Sequence, residues 1–93
     1  MTSPAHVYLL RCADGTLYCG WTTDVERRVG QHQAGTASRY TRSRLPVALA
    51  WSKAMGSRGE ALREEHRVKR LSRADKLRLT ARGHPSSASA SLP

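Results

Sequence analysis

Two apolar runs, residues 6–12 (His-Val-Tyr-Leu-Leu-Arg-Cys) and 17–20 (Leu-Tyr-Cys-Gly), are separated by Ala13-Asp14-Gly15-Thr16. Asp-Gly is a turn signal, because glycine accepts positive φ and aspartate bonds its own backbone, so the pair predicts a β-hairpin. Thr23-x-x-Glu26 reads as a capping box that opens a helix over 24–34, which Gly35 stops. Asp24, Arg28 and His32 recur every four residues and share one face of that helix. Residues 35–44 form a polar, basic loop, and Leu45-Pro46 interrupts the pattern. Residues 47–51 (Val-Ala-Leu-Ala-Trp) alternate large and small, as a third strand does. Ser57 with Glu60 and Ser72 with Asp75 repeat the cap signal and predict helices over 58–71 and 73–82, with Gly83 as a stop. The order β-β-α-β-α-α is that of an α+β domain, a three-stranded antiparallel sheet with helices packed on it. From residue 83 onward Ser, Ala and Pro dominate. The expected organisation is therefore one domain over 1–82 and a disordered tail over 83–93.

Charge narrows the field. The chain has 93 residues, with 16 Lys+Arg against 7 Asp+Glu and a formal net charge of +9. Such an excess favours a polyanionic partner. Thirteen of the cations are arginine, whose planar fork suits phosphate, although a GC-rich genome produces the same skew. No apolar run approaches the ~20 residues that span a bilayer. The first residues lack a basic-then-apolar leader, so a cytoplasmic location and no membrane association are expected. Cys12 and Cys19 flank the turn. A reducing compartment favours two small buried thiols over a cross-hairpin disulfide, and zinc-ligand spacing is absent.

Seven acids are few enough to account for singly. Asp14 belongs to the turn, Asp24 and Glu26 to the first helix start, Glu60 and Asp75 to the later caps. Glu64 and Glu65 remain. Helical spacing puts Glu65 on the face of Ala61, Leu62 and Val68. A carboxylate there is costly to bury unless a cation meets it. An arginine, a metal ion or Lys69 at i+4 could do so.

Taken in order, these residues resemble the GIY-YIG nuclease superfamily. Val7-Tyr8-Leu9 matches its first half-motif without the glycine and isoleucine, and Tyr18-Cys19-Gly20 matches the second. Arg28 and His32 match the family's helix arginine and the His-or-Tyr position after it. Ser57-x-x-Glu60-Ala61-Leu62-x-x-Glu65 matches the helix that carries a metal-binding glutamate. The likeness covers about residues 5–80, and the size looks most like small stand-alone bacterial members. It implies a metal-dependent endonuclease that hydrolyses phosphodiester bonds in DNA, structure- or strand-selective and capable of nicking, in a setting such as DNA repair. Its catalytic groups would be Tyr8, Tyr18, Arg28, His32 and Glu65, with one Mg²⁺ or Mn²⁺ on Glu65. Arg28 would grip the scissile phosphate. A tyrosine would orient or deprotonate the water, its pKa lowered from ~10 by neighbouring cations, with His32 as proton partner. Two departures stand out: Trp21 occupies a position where some members carry lysine, and the chain has no asparagine.

Substrate grip is expected from Arg39, Tyr40, Arg42 and Arg44 in the loop and from Arg63, Arg67 and Arg70 on the Glu65 helix. Such contacts position a backbone and carry no sequence information. DNA is expected ahead of RNA, with strongly salt-dependent binding, a protein partner for targeting, and a monomer or weak dimer. Each residue also has an ordinary role open to it: tyrosines pack in strands, arginines and histidines decorate helices, and Glu65 can pair with Lys69. Two further readings stay open, a non-catalytic nucleic-acid-binding module on the same fold and a ribosome-associated basic protein.

Overall fold

A computed structural model describes residues 4–81. The tail over 83–93, and residue 82 of the last expected helix, lie outside the described residues. Strands β1 (Ala5–Arg11) and β2 (Leu17–Thr22) form the hairpin. Helices α1 (Val25–Gln33) and α2 (Arg39–Arg42), strand β3 (Ala48–Met55), and helices α3 (Arg58–Lys69) and α4 (Arg73–Ala81) follow. The sheet order is β2-β1-β3 with both pairings antiparallel. This is the expected α+β architecture with one addition, the single turn α2 inside the basic loop. Ser38 caps it, its hydroxyl accepting from the Tyr40 N–H at 3.1 Å. Among the described residues no helix is long and apolar enough to cross a membrane.

Local chemistry explains the boundaries. Asp14 accepts from the Thr16 N–H (3.1 Å) and hydroxyl (2.6 Å), and Gly15 takes φ +84°. The cap of α1 is Asp24, one residue later than the box predicts. Its carboxylate accepts from the Arg27 N–H at 3.1 Å, while the Thr22 hydroxyl accepts from the Asp24 N–H at 3.1 Å. A full negative charge at the positive end of the helix outcompetes the neutral Thr23 hydroxyl. At the other end Gly35 has φ +79°, and the N–H groups of Gly35 and Thr36 reach the carbonyls of His32 and Gln31, each at 3.0 Å. That is a Schellman stop. Ser57 and Ser72 cap α3 and α4 as expected, accepting from the Glu60 and Asp75 N–H groups at 3.2 and 3.1 Å.

The sheet buries a different cluster on each face. On one, Ala5, Val7, Leu9, Cys19 and Trp51 pack with Ala61 and Val68 of α3, and Leu79 of α4 adjoins them. On the other, Tyr8, Leu10, Cys12 and Val47 are buried with Val29 of α1 and Tyr18 beside them. The large-small alternation over 47–51 would put Val47, Leu49 and Trp51 on one face. Instead Leu9 pairs with Trp51 and Leu10 with Leu49, so Ala50 is the extra residue of a bulge. The bulge sends Trp51 to the α3 side and leaves Leu49 and Val47 on the α1 side. Leu62, expected on the buried stripe of α3, is instead 48% exposed. Cys12 and Cys19 are free, buried, and belong to opposite clusters. Burial pushes the Cys19 thiol up to about 12, which leaves it an inert hydrophobe.

Tyr8 lies directly opposite Gly20 in the hairpin. A Cβ built on Gly20 would fall 2.5 Å from Tyr8 Oη and 2.7 Å from Cζ, so the ring occupies the space a side chain would take. Gly20→Ala is expected to destabilise the fold by about 1–3 kcal/mol through forced displacement of that ring. Gly30→Ala, on α1 with nothing within 4 Å of its Cβ position, is the control and should be neutral or stabilising. Urea melts of the two variants check this; equal midpoints would mean that Tyr8 does not need the gap.

Candidate active site

Residues directly opposite in an antiparallel pair share a face, as do alternate residues along a strand. The pairs Tyr8–Gly20 and Leu10–Tyr18 therefore set both tyrosines on the α1 side. Tyr8 is 2% exposed, and its Oη lies 2.9 Å from His32 Nε2. The Tyr18 ring meets the His32 ring edge-on, with centroids 5.1 Å apart. His32 is itself buried at 1% exposure, and its Nδ1 lies 2.7 Å from Thr41 Oγ1. The Thr41 hydroxyl in turn donates to the Ser38 carbonyl at 3.3 Å.

The ionisation states follow from burial. Desolvation, and next the neighbouring Tyr18, push the Tyr8 phenol well above its ordinary value; Arg28 pulls it down without prevailing. The expected lowering of a tyrosine by nearby cations therefore does not hold for Tyr8, because its oxygen has been taken out of water. His32 is shifted below its usual value, first by burial and then by the Arg28 cation. A neutral phenol thus faces a neutral imidazole.

Arg28 stands one turn before His32 on α1. It lines a polar cleft of about 290 Å³ with Thr22, Thr23, Asp24, Arg27 and Gln31. Glu65 comes from α3, whose backbone touches β2: the Cys19 thiol donates to the Glu65 carbonyl at 3.8 Å. The Glu65 carboxylate, 16% exposed, pairs with Lys69 at 3.6 Å, and its charge is close enough to help raise Tyr8. The structure thus brings Tyr8, Tyr18 and His32 into contact, with Arg28 and Glu65 within electrostatic reach of Tyr8. Glu64 has a structural explanation. Arg67 clasps both of its oxygens, at 2.7 and 2.8 Å, and Lys53 adds a contact at 3.9 Å. These bonds, the Arg67 pair foremost, hold its carboxyl below the usual range.

The expected grip residues divide. Arg44 is committed internally: it pairs with Asp14 at 3.0 Å, donates to the Tyr40 carbonyl at 2.9 Å and lies 3.8 Å over the Tyr40 ring. Tyr40 continues the stack towards Tyr18, with centroids 5.7 Å apart. Arg67 is tied to Glu64. Arg39, Arg42, Arg63 and Arg70 are exposed and have no carboxylate partner among the described residues. Arg63, Arg67 and Arg70, with Leu62 and His66, line an open groove of about 480 Å³ on the outward side of α3, facing away from Ala61 and Val68. Trp21 packs against the α3-side core with Arg58 at 5.5 Å over its ring. Sequence reasoning missed Thr41, a fully buried hydroxyl inside a basic loop. A one-turn helix is too short to leave a periodic signal.

Comparison with known proteins identifies the family. The family described as the GIY-YIG catalytic domain matches residues 4–78. The UPF0213 protein VNG_2274C of Halobacterium salinarum is 54% identical over 71 residues, covering 76% of this chain and 92% of its own. The UPF0213 protein SAG0778 of Streptococcus agalactiae is 51% identical over 74 residues, covering 80% and 84%. The solution NMR structure of the UPF0213 protein BH0048 from Bacillus halodurans superposes with a TM-score of 0.58 at 40% identity, covering 94% of this chain and 93% of that one. The tyrosine pair on the hairpin, the Arg28–His32 helix and the Glu65 helix all lie within the matched region, and the chain belongs to the GIY-YIG catalytic domain family.

Proposed function

We propose that this protein is a metal-dependent endonuclease that hydrolyses phosphodiester bonds in DNA, selective for structure or strand and capable of nicking. The observation that carries the reading is a neutral phenol bonded to a neutral imidazole, with a guanidinium and a carboxylate both within electrostatic reach of the phenol. Arg28 is placed to hold a phosphate through its fork. Tyr8 is too basic to persist as a phenolate. Bonded to a neutral His32, however, and once bound substrate opens the hydroxyl to a water that the free protein excludes, it can take a proton from that water while passing its own to Nε2, so no free phenolate accumulates. Tyr18 walls the pocket and offers a second hydroxyl on the same face.

Glu65 is the residue proposed to hold Mg²⁺ or Mn²⁺. The described residues contain no group of three or more His, Cys, Asp or Glu that could hold an ion. One carboxylate completed by waters and phosphate oxygens is a set Mg²⁺ accepts, so the donors fit. Bound there, the ion supplies positive charge to the phosphate oxygens. Exposed Arg39 and Arg42 and the stacked Tyr40 are the proposed substrate contacts nearest the pocket, with a protein partner available for targeting.

A second reading, a nucleic-acid-binding module without turnover, is favoured by one contact. Lys69 already neutralises Glu65 at 3.6 Å.

Glu65→Ala and Arg28→Ala are each expected to lower cleavage by at least about 100-fold, the cost of removing a group that meets developing charge. DNA affinity should change little. The assay is cutting of nicked, branched and single-stranded DNA with Mg²⁺ or Mn²⁺, beside a binding titration. Parent-like cutting by both variants would refute the site; a parent that binds every substrate and cuts none would favour the module. A second expectation concerns pH. His32 has a folded pKa below its unfolded value of ~6.5, so the stability it contributes is complete above that pH and is lost as pH falls below it. A protonated Nε2 also cannot accept from Tyr8. His32 ring protons should titrate with a midpoint under ~6.5 by NMR, and urea midpoints should fall between pH 7.5 and about 5.5. A midpoint at or above the free-histidine value would contradict the buried neutral ring.

A further inference from the structure

We infer that Thr41 is a positioning residue for the site: its buried hydroxyl holds His32 as the Nδ1–H tautomer and thereby keeps Nε2 open to the Tyr8 hydroxyl. The direction of the chain of bonds follows from its two ends. At one end the Ser38 carbonyl can only accept, so the Thr41 hydroxyl donates to it and turns its lone pairs to His32 Nδ1, 2.7 Å away. A neutral ring with its hydrogen on Nδ1 has a bare Nε2. At the other end Tyr8 Oη lies 2.9 Å from that bare nitrogen and has no other acceptor among the described residues. The opposite tautomer would reverse every bond. Thr41 would have to give its hydrogen to Nδ1 and release the carbonyl, and the Tyr8 hydrogen would be left without a partner at 2% exposure. Buried donors without acceptors are costly, so both ends select the same tautomer.

The placement of Thr41 is built in from outside. Ser38 both caps α2 and receives the Arg42 N–H at 3.0 Å. The turn after α2 is pinned to the hairpin that carries both tyrosines: the Ala13 N–H donates to the Arg44 carbonyl at 2.9 Å, and Arg44 pairs with Asp14 at 3.0 Å. The loop between α1 and β3 therefore sets the imidazole from the side opposite Tyr8.

The consequence for rate rests on the hydrolytic reading; the tautomer does not, and the test separates them. Nitrogen-15 NMR of histidine-labelled protein at pH 7.5 should show a protonated Nδ1 and a bare Nε2 for His32 in the unmutated chain and in Thr41→Ser. Thr41→Val, which keeps the shape and removes the hydroxyl, should move the hydrogen to Nε2. In cleavage assays Thr41→Val should lower kcat by about 10- to 100-fold, the usual effect of removing a histidine's orienting partner, with KM nearly unchanged. Thr41→Ser should stay close to the parent. An Nε2-protonated His32 in the unmutated protein overturns the inference without any variant having to fold. An Nδ1–H ring that persists in Thr41→Val also overturns it, as does a shifted tautomer with undiminished kcat. Absence of cleavage by the parent would instead count against the nuclease reading and leave the tautomer assignment standing.

Discussion

The hydrogen bond between the Tyr8 hydroxyl and His32 Nε2 ties the central strand to the first helix, and both of its ends are shut off from water. A buried hydroxyl or imidazole without a partner costs roughly 1–3 kcal/mol. The two groups must therefore be placed by the fold well enough to find each other. Much of the local architecture serves that placement. Gly20 leaves room for the Tyr8 ring, the Gly35 stop ends α1 just past His32, and α2 brings Thr41 to the far nitrogen. Gln33 adds a clamp, its amide donating to the Val47 carbonyl at 2.5 Å and accepting from the Val47 N–H at 3.0 Å, so α1 is bonded to the approach to β3. Polar groups buried this way reward only one arrangement, which is how they specify a site as well as a fold.

The sheet has to serve two clients at once. β1 lies between its neighbours and is buried on both faces, with Val7 and Leu9 on one side and Tyr8 and Leu10 on the other. The α3 side is apolar and supplies the driving force of collapse. The α1 side carries the polar relay. Glu65 belongs to the apolar layer's helix, whose backbone meets β2, an edge strand, where the Cys19 thiol donates to the Glu65 carbonyl, and it acts on Tyr8 through its charge alone. The bulge at Ala50 is what lets β3 serve both layers, giving Trp51 to α3 and Leu49 and Val47 to the other face.

What the sequence made legible is what short-range chemistry decides. Asp14-Gly15 specifies the turn, Gly35 the helix stop, and Ser57 and Ser72 their caps, each through a bond spanning a few residues. The spacing of Arg28 and His32 placed both on one helix face. Features that depend on distant partners were not legible. Whether Trp51 shares a face with Leu49 depends on pairing with β1, and no alternation within 47–51 can reveal a bulge. The direction of the Tyr8 shift depends on how deeply the ring is buried. Nearby cations are visible in the sequence, but desolvation is not, and desolvation is the larger effect here. Thr41 lay hidden for a similar reason, since only the folded loop turns its hydroxyl away from solvent.

Arg28 links substrate to relay in the proposed reaction. In the free protein its charge is one of the two causes that hold His32 neutral, the other being burial. A phosphate bound to the guanidinium supplies opposite charge at the same place, so the electrostatic penalty on an imidazolium falls when substrate arrives. The burial penalty remains, which keeps the ring from charging idly. Proton transfer from Tyr8 to Nε2 is then easiest when a phosphate is present to be attacked. A lysine near Tyr18 would have added another cation to the pocket and opposed the same imidazolium. With Trp21 packed against the α3-side core instead, the charge of Arg28 acts on both Tyr8 and His32. In the proposed reaction, the departure from the family pattern at Trp21 leaves the coupling of binding to proton acceptance with Arg28.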